Sequence, residues 1–328
     1  MHILVAGGAG YIGSTTVEHL VQNGYKVTVI DNLSKGHRPA IHPDADFVPM
    51  DLADTSSLKA LFSNSHFDGV MHFCASSLVG ESVLAPFQYY RNNIANGLNL
   101  VEAMVEHGVK AFVFSSTAAI FGEPETQPIT EDAPKNPLNP YGRTKLFFEH
   151  LLQDADKAYG LKSVCLRYFN AAGATSERGE DHRPETHLIP LILDVARGKR
   201  ESITVFGKDY PTKDGTCVRD YIHVLDLAEA HRLAIEYLIA DNESNAFNLG
   251  NGQGFSVKEV IDAVERVTGK SINVVTGERR PGDPAVLIAS SDKIRNQLGW
   301  EPRYANLDDV ISSAWNWHLE NPNGYGNK

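Results

Sequence analysis

Short apolar runs alternate with helical patterns over the first half of the chain. Residues 2–8 form the first run, and Ile12, Thr16 and Leu20 then recur at helical spacing before Gly24. Buried strands of a parallel sheet read as continuous apolar runs, whereas helices show a period near 3.6 residues. Further strands are predicted at 27–30, 46–52, 67–75, 110–120 and 161–169, and helices at 94–107 and 142–159. The alternation predicts an α/β fold with a doubly wound parallel sheet, which binds ligands at the carboxyl ends of its strands.

The pattern changes after Gly173. Residues 176–185 are charged, and beyond them we predict a helix at 188–196 and strands at 203–206 and 247–250. Ser256 and Glu259 have the spacing of a capping box that opens another helix. We predict a larger domain at 1–173, to which later segments can return, and a smaller, mixed α/β domain at 174–328. Residues 321–328 are predicted to form a frayed tail.

Three glycines, Gly7, Gly10 and Gly13, lie between the first strand and the first helix. Such glycines let backbone N–H groups approach a pyrophosphate, and the helix N-terminus adds a partial positive charge. Asp31 comes 18 residues after Gly13, where its carboxylate would accept from ribose hydroxyls and repel a 2′-phosphate. The alternative is a tight turn without a ligand. In this order of elements we predict a Rossmann-type domain that binds NAD rather than NADP.

Two further features have more than one interpretation. Asp51 ends the third predicted strand, where it would either reach an adenine amine or cap the following helix. Gly250, Gly252 and Gly254 have the composition of a second phosphate loop. We predict a turn at these glycines, because the cofactor already has a cradle at Gly7.

Tyr141 and Lys145 open the predicted helix at 142–159. Residues four apart lie on one helix face, and a neighbouring ammonium favours the phenolate, so we predict a lowered pKa for Tyr141. Ser115 and Thr117 end the fifth predicted strand, at the edge that also carries Gly7. A hydroxyl, a phenol and an ammonium together suit proton removal from an alcohol during hydride transfer. The alternative for Tyr141 is a structural tyrosine at a helix start.

Composition and charge restrict the partners. Hydrophobic residues make up 42% of the 328 residues and charged residues 22%, which is typical of a soluble globular protein. The net charge of −11 argues against nucleic acid or an anionic membrane as a partner. Three scattered cysteines, no signal-peptide pattern and no long apolar stretch predict a cytoplasmic protein. No Cys-x-x-Cys or His-x-x-x-His spacing occurs, so no metal site is predicted.

The ordered motifs resemble the extended short-chain dehydrogenase/reductase family. The glycine loop, the Ser115-Ser116-Thr117 segment and Tyr141-x-x-x-Lys145 carry the general resemblance. A closer similarity, to the UDP-sugar 4-epimerases of that family, covers nearly the whole chain. It rests on stretches 31–36, 79–82, 89–93, 168–170, 209–224 and 280–283, of which 209–224 is far more specific than the glycine loop.

The resemblance implies an NAD-dependent isomerase that interconverts UDP-galactose and UDP-glucose through a 4-keto sugar. Tyr141 would take the proton from the C4 hydroxyl, Lys145 would hold the nicotinamide ribose, and Thr117 would hydrogen-bond the reacting hydroxyl. NAD contacts are implied at Gly7, Gly10, Tyr11, Ile12, Gly13, Asp31, Asn32, Leu33, Ser34, Lys35, Gly36, Asp51, Leu52, Phe73, Cys74, Ala75, Ser76, Ser77, Asn92, Ser115, Tyr141, Lys145 and Phe169. Contacts with the UDP-hexose are implied at Thr117, Tyr141, Asn170, His187, Leu188, Thr204, Val205, Phe206, Arg219, Arg280, Asp283 and Leu287.

Three positions depart from the family pattern. Ser76-Ser77 stands where some relatives carry a lysine near the nicotinamide, and His187 stands where asparagine is common. Leu287 falls at the gatekeeper of the sugar pocket, and its intermediate bulk leaves activity on N-acetylated UDP-sugars open.

The two arginines of the implied nucleotide-sugar site have an alternative role. Arg219 and Arg280 suit a diphosphate through bidentate hydrogen bonds, but each could instead form a salt bridge with Asp220 or Asp283.

Other functions on the same fold are less favoured. A 4,6-dehydratase needs carboxyl groups after the threonine, whereas Thr117 is followed by Ala118-Ala119, which can transfer no proton. An enzyme acting on UDP-glucuronate would want extra cationic groups near C5. A non-catalytic NAD sensor would need neither Tyr141 nor Lys145.

Homodimer formation is implied by the family. It is also favoured by large apolar residues, including Phe147 and Leu151, on the predicted helices at 94–107 and 142–159.

Overall fold

The computed structural model describes residues 1–280 and 283–326 of the chain. Its strands are β1 (His2–Ala6), β2 (Lys26–Asp31), β3 (Asp46–Pro49), β4 (Gly69–His72), β5 (Ala111–Thr117), β6 (Lys162–Tyr168), β7 (Asn170–Ala172), β8 (Ile203–Phe206), β9 (Val218–Arg219), β10 (Tyr221–His223), β11 (Asn245–Leu249), β12 (Phe255–Ser256), β13 (Val274–Gly277) and β14 (Val286–Leu287).

The helices are α1 (Tyr11–Gln22), α2 (Thr55–Asn64), α3 (Val79–Leu84), α4 (Pro86–Tyr90), α5 (Asn96–Glu106), α6 (Pro140–Tyr159), α7 (Leu188–Ala196), α8 (Val224–Ile239), α9 (Val257–Thr268), α10 (Asp292–Leu298) and α11 (Leu307–Glu320). A π-helical turn, Arg91–Ala95, joins α4 to α5. None of these helices is long and apolar enough to cross a membrane.

Seven parallel strands form the central sheet, in the order β11-β6-β5-β4-β1-β2-β3. Successive side chains of β1 point to opposite faces, so Ile3 packs in a core with α1 and α8, while Leu4 packs in a second core with α2, α5 and α6. The α/β prediction of a doubly wound parallel sheet is therefore confirmed. The predicted strands extend up to three residues beyond the observed ones, because their apolar runs continue into the loops at the sheet edge.

Strand β11 joins the central sheet although it lies far along the chain. It pairs with β6 in parallel, with Phe247 opposite Leu166. Helix α8, which precedes β11, packs against α1. The division at residue 173 stays a prediction, and α8 and β11 are segments that return to the first domain's sheet.

The remaining elements build a smaller mixed α/β unit around a separate core. Helices α7, α9 and α11 pack together through Ile192, Val260 and Ile311. Strand β8 pairs with β13, and β9 lies between β12 and β14. The predicted capping box of α9 is confirmed, because Ser256 Oγ accepts from Glu259 N at 3.0 Å and Ser256 N donates to the Glu259 carboxylate at 2.9 Å.

The chain end packs against the protein up to residue 326. The phenol of Tyr325 donates to the carbonyl of Gly179 at 3.3 Å, and its ring stacks on His37 with centroids 5.1 Å apart. The prediction of a frayed tail is wrong for residues 321–326, because an aromatic anchor can fix a polar segment. Residues 327–328 of the predicted tail lie outside the described part of the chain.

A buried histidine in the second core makes stability depend on pH. His72 ends β4 among Phe112, Phe114 and Phe148, and neither ring nitrogen has a hydrogen-bond partner among the described residues. Burial, helped by the charge of Lys145, lowers the pKa of His72 to about 3. The imidazole of His72 therefore stays neutral in the native protein, because its buried position disfavours the protonated form.

We expect His72→Leu to reduce the loss of stability in acid. The unfolded chain takes up a proton below about pH 6.5 and the native chain only near pH 3, so this group removes stability as the pH falls between these values. Between pH 7 and pH 5 the loss from this group is about 2 kcal/mol. Melting temperatures of wild type and variant across pH 5–8 would test this. His66→Leu is the control, since that side chain is 87% exposed, and an equal acid effect in both variants would contradict the assignment.

Candidate active site

The glycine loop closes tightly between β1, β4 and α1. Gly7 has φ +84°, and a Cβ on it would lie 2.7 Å from the backbone nitrogen of Cys74. Gly10 is the N-cap of α1, and a Cβ on Gly13 would lie 2.2 Å from the carbonyl oxygen of Gly7. Tyr11 and Ile12 open α1, and the Tyr11 phenol donates to the carbonyl of Gly173 at 2.6 Å. The first and third glycines are therefore required by close backbone approaches.

We expect Gly13→Ala to reduce bound NAD strongly, because the new methyl group would displace the loop whose N–H groups are expected to face the pyrophosphate. The NAD content per chain after purification, measured after acid release, would test this. Gly80→Ala is the matched control, since a Cβ there meets nothing within 4 Å. Equal NAD content in both variants would contradict the assignment.

The segment after β2 is organised by the buried carboxylate of Asp31. It accepts from Ala9 N at 3.0 Å and from Leu33 N at 2.8 Å, so it joins the glycine loop to residues 32–36. Asn32 donates to the carboxylate of Asp51 at 2.7 Å. A Cβ placed on Gly36 would lie 2.8 Å from the Cβ of Ala9, so the glycine packs directly against that residue. The predicted residues 31–36 and 51 thus lie together beside the loop.

Asp51 does not cap the next helix. The N-cap of α2 is Asp54, whose side chain accepts from Ser57 N at 3.0 Å. The capping interpretation of Asp51 is therefore wrong, because the helix begins one turn later than the strand end suggests. Leu52, which follows Asp51, is buried in the second core.

The segment after β4 is held by an asparagine that the sequence analysis did not single out. Asn93 accepts from Ser76 N at 2.8 Å and donates to Ser76 O at 3.0 Å and to the hydroxyl of Thr144 at 3.1 Å. The predicted Asn92 donates to Ser76 Oγ at 3.2 Å. The π-helical turn brings both asparagines toward the loop, and such turns are frequent at functional sites. Phe73, Cys74, Ala75 and Ser77 belong to the same short loop after β4.

Helix α6 brings Tyr141 and Lys145 to the end of β5. The side chain of Asn139 caps the helix by accepting from Gly142 N at 2.9 Å, and Pro140 occupies its first turn. The hydroxyl of Thr117 lies near the phenol of Tyr141 and acts to lower its pKa. Lys145 is buried and donates from Nζ to the carbonyl of Ser115 at 2.7 Å. The three predicted catalytic residues therefore lie together at the carboxyl end of β5.

The predicted lowering of the Tyr141 pKa is wrong in this structure. Burial raises the pKa of Tyr141, and the nearby Thr117 hydroxyl offsets only part of the rise. Lys145 directs its ammonium to a carbonyl rather than to the phenol, and burial lowers the pKa of Lys145 to about 7. Helical spacing places two residues on one face but does not fix which groups their side chains meet.

A buried ion pair lies beneath these residues. Arg167 on β6 donates to the carboxylate of Glu149 on α6 through Nε at 3.0 Å and Nη2 at 2.7 Å. The hydroxyl of Ser116 donates to the same carboxylate at 2.6 Å. The pair therefore ties β5, β6 and α6 together one residue from Thr117.

The implied nucleotide-sugar residues lie on the smaller unit's strands and turns. Thr204, Val205 and Phe206 are on β8, and the guanidinium of Arg280 lies 4.6 Å from the centroid of the Phe206 ring. Arg219 on β9 donates to the carboxylate of Asp283, which lies 3.9 Å from Arg280 Nε. Both arginines therefore converge on Asp283 in this structure. Gly282 of the same motif lies outside the described residues.

Asp220 has a different role from a salt-bridge partner. Its buried carboxylate accepts from Asn251 N at 2.7 Å, Gly252 N at 3.0 Å and Ala289 N at 3.0 Å. The backbone N–H groups of Asn251 and Gly252 in the second glycine-rich stretch are thus used internally, which supports a structural role for that stretch. The alternative of an Arg219–Asp220 pair is not found among the described contacts.

Leu287 and Asn170 contact segments that lie next to the end of β5 or the end of β9. Leu287 on β14 packs with Phe169 against a small core formed by Ile120, Phe121, Ile129 and Ala133. Asn170 on β7 donates to the carbonyl of Asp220 at 2.9 Å. These contacts connect the sugar-binding candidates with the segment that follows Thr117.

His187 and Leu188 stand at the start of α7. His187 is the N-cap residue, and its Nδ1 lies 2.8 Å from Oε1 of both Glu180 and Glu185. Burial alone would lower the pKa of His187, but the two carboxylates raise it to about 10. His187 is therefore part of a charged cluster as well as a candidate substrate contact.

Comparison with known proteins identifies the family. The sequence profile described as the NAD dependent epimerase/dehydratase family matches residues 3–250. The chain belongs to this family. The resemblance to the epimerases of the extended short-chain dehydrogenase/reductase family is thereby confirmed.

Individual epimerases match the chain over nearly its whole length. A UDP-glucose 4-epimerase of Halalkalibacterium halodurans is 55% identical over 327 residues, covering 99% of this chain and 98% of that protein. A solved UDP-glucose 4-epimerase structure shares 52% identity with a TM-score of 0.98 and covers all of both chains. The Brucella ovis UDP-glucose 4-epimerase in complex with NAD has a TM-score of 0.94 at 46% identity, covering 96% and 97% of the two chains.

The residues present fit the NAD of this family. Gly7 and Gly13 leave no room for a side chain, and the carboxylate of Asp31 lies at the end of β2 as ribose recognition requires. No lysine occurs in residues 73–77, and Ser76 is held by Asn92 and Asn93 instead. The chain would therefore surround the cofactor with backbone and small side chains at this point.

Proposed function

We propose that this protein interconverts UDP-galactose and UDP-glucose, with NAD bound throughout the reaction. The observation that carries the proposal is the arrangement of Tyr141, Thr117 and Lys145 at the sheet edge beside the glycine loop. Full-length similarity to proteins named UDP-glucose 4-epimerase supports it.

Tyr141 is the proposed base that removes the proton from the C4 hydroxyl. NAD, when bound, supplies the hydride acceptor for C4. The nearby Thr117 hydroxyl favours the phenolate, and so does the position of Tyr141 in the first turn of α6, where the helix dipole is positive. Lys145 holds its Nζ at the end of β5, from which it would contact the nicotinamide ribose and stabilise the phenolate.

The residues after Thr117 favour return of the 4-keto sugar as an epimer. Ala118 and Ala119 begin a short 3-10 turn, and the hydroxyl of Thr117 accepts from Ala119 N at 3.1 Å. Neither alanine can donate or remove a proton at C5 or C6, so elimination of water has no acid or base in this segment. Arg219 and Arg280 would hold the diphosphate, with Asp283 orienting both.

Incubation with UDP-galactose, with and without added NAD, tests the proposal. We expect UDP-glucose to form in both cases and the reverse reaction from UDP-glucose to reach the same ratio. Absence of conversion in either direction with NAD present would overturn it. UDP-N-acetylgalactosamine as a second substrate would show whether Leu287 permits an N-acetyl group.

We infer that the protein forms a homodimer through the faces of α3, α4 and α6. Val83, Leu84 and Phe87 are 59%, 87% and 82% exposed on α3 and α4, and Phe147 on α6 is 54% exposed. α3 and α4 both contact α6, so these side chains belong to neighbouring surfaces. Large apolar side chains exposed on three packed helices favour an interaction surface, and a second copy would cover them.

We expect Phe87→Asp to convert the dimer to a monomer, because a charge would have to be buried at the centre of the contact. Sedimentation velocity at micromolar concentration would measure this. Leu319→Asp, at a 54% exposed position on α11, is the matched control and should leave the dimer intact. A wild-type protein that sediments as a monomer would contradict the inference.

The proposed location is the cytoplasm. The three cysteines, Cys74, Cys165 and Cys217, are free, and two of them are buried. Free thiols without a disulfide suit a reducing compartment.

A further inference from the structure

Two histidines and two glutamates gather on the segment before α7. Glu180, His182, Glu185 and His187 each offer one ligand atom, and these atoms all lie within 4.8 Å of one another. Nδ1 of His182 lies 3.0 Å from Glu180 Oε1 and 3.9 Å from Glu185 Oε2. Nδ1 of His187 lies 2.8 Å from Oε1 of both glutamates. The two imidazoles and two carboxylates therefore face a common centre.

We propose that this cluster binds a divalent transition metal ion, with Zn²⁺ as the best match. Zinc bonds to imidazole nitrogen and carboxylate oxygen are about 2.0–2.2 Å long, so neighbouring ligand atoms of a tetrahedron lie about 3.4 Å apart. The observed nitrogen–oxygen separations of 2.8 to 3.9 Å bracket this value. Two imidazoles favour zinc over magnesium or calcium, which prefer oxygen ligands.

Charge also favours a cation at this centre. Glu180 is 6% exposed and Glu185 13%, so two carboxylates are largely removed from water. Buried carboxylates require a compensating charge. In the structure His187 pairs with both carboxylates. A divalent ion would take the place of the proton shared in these pairs and neutralise both carboxylates while leaving the two imidazoles neutral, as metal ligands require.

The loop that carries these ligands is fixed from several sides. Arg178 pairs with the buried Glu18 at 3.1 Å and donates to the carbonyl of Ala40 at 2.8 Å. Asp181 accepts from Tyr325 N at 3.0 Å, so the end of the chain holds the same loop. The carboxylate of Glu185 also accepts from Thr186 N at 2.7 Å and His187 N at 2.8 Å, which fixes its orientation. Such outer contacts orient metal ligands before binding.

The position of the cluster indicates a structural role. Four protein ligands complete a tetrahedron and leave no open position for catalysis. On one side the ring of Tyr11 meets His182 edge-on with centroids 6.3 Å apart, and on the other side His187 leads into α7. The ion would hold residues 180–187 in place between α1, which follows the glycine loop, and the start of α7. His187 is also a candidate substrate contact, but metal binding at this cluster can be measured without the proposed activity.

The ligand spacing explains why the sequence predicts no metal site. The four residues occupy positions i, i+2, i+5 and i+7 of one loop, which matches neither the paired-cysteine nor the helical histidine pattern. Only the fold of the loop brings them together.

The test is the zinc content of the untagged, full-length protein after exhaustive dialysis. We expect about one zinc ion per chain in wild type, as four protein ligands bind one ion. His182→Gln should bind zinc at least about a hundredfold more weakly than wild type, because changes outside the ligand shell alone cost 10–100-fold. The control variant His66→Gln should keep the zinc. It changes one of the chain's thirteen histidines, which is exposed and lies outside the cluster.

A second measurement does not depend on the folding of a variant. Wild-type protein stripped with a chelator and titrated with Co²⁺ should develop the intense visible bands of tetrahedral cobalt, and Zn²⁺ should abolish them. The melting temperature of the wild-type protein should fall when the chelator removes the metal and recover when zinc is added. Wild type that retains no zinc and gives no tetrahedral cobalt spectrum would overturn the proposal. Equal zinc affinity of wild type and His182→Gln would overturn it as well.

Discussion

Tyr141→Phe is expected to lower kcat for UDP-galactose conversion by about 10²–10⁴-fold, the usual contribution of a positioned general base. Phenylalanine keeps the ring in place at the start of α6 but removes the oxygen that the Thr117 hydroxyl contacts. Bound NAD and the melting temperature should stay close to wild type, because the glycine loop and Asp31 are unchanged. Steady-state assays together with the NAD content per chain would measure both effects.

A tyrosine at the other end of the same helix provides the control. Tyr159 is the last residue of α6 and is 63% exposed, so Tyr159→Phe should leave kcat unchanged. Turnover by Tyr141→Phe within tenfold of wild type would mean that another group removes the proton.

Arg167→Met is expected to destabilise the protein by about 3–5 kcal/mol, the range found when one partner of a buried ion pair is removed. Among the described residues, Glu149 would keep only the Ser116 hydroxyl as a side-chain donor, in a site where the carboxylate is 3% exposed. Because Ser116 lies between Ser115 and Thr117 on β5, we expect activity to fall as well. Thermal melting and the assay with UDP-galactose would measure the two effects.

Two further variants separate the buried charge from the loss of an arginine. Glu149→Leu combined with Arg167→Met should recover most of the stability, because no unpaired charge remains. Arg266→Met breaks a paired arginine at the surface, where Arg266 is 59% exposed, and should change the melting temperature little. Equal destabilisation by Arg167→Met and Arg266→Met would contradict the role given to the buried pair.

Local sequence patterns predicted the main sheet and indicated where the candidate active site lies on it. Ile3 to Ala6 had to form a buried strand, and Gly7 and Gly13 mark backbone approaches that no other residue permits. The carboxyl ends of parallel strands share one edge, which is why the sequence alone predicts that Asp31 and Thr117 lie on the same side of the sheet.

Long-range partners could not be predicted in the same way. Asn93 contacts Ser76 and Thr144 only because a π-helical turn rotates it inward, and Asp220 meets backbone groups more than 30 residues away. The sequence also gave no sign that Tyr325 would anchor the chain end on Gly179. These contacts depend on tertiary packing rather than on periodicity or local propensity.

The most direct test of the central claim is the fate of a deuterium placed at C4 of UDP-galactose. If hydride leaves C4 for bound NAD and returns to the other face of the same 4-keto sugar, the UDP-glucose formed in ordinary water will keep the deuterium at C4. Mass spectrometry and proton NMR of the product would measure this. Full retention agrees with the account, whereas exchange of the C4 hydrogen with solvent would contradict it.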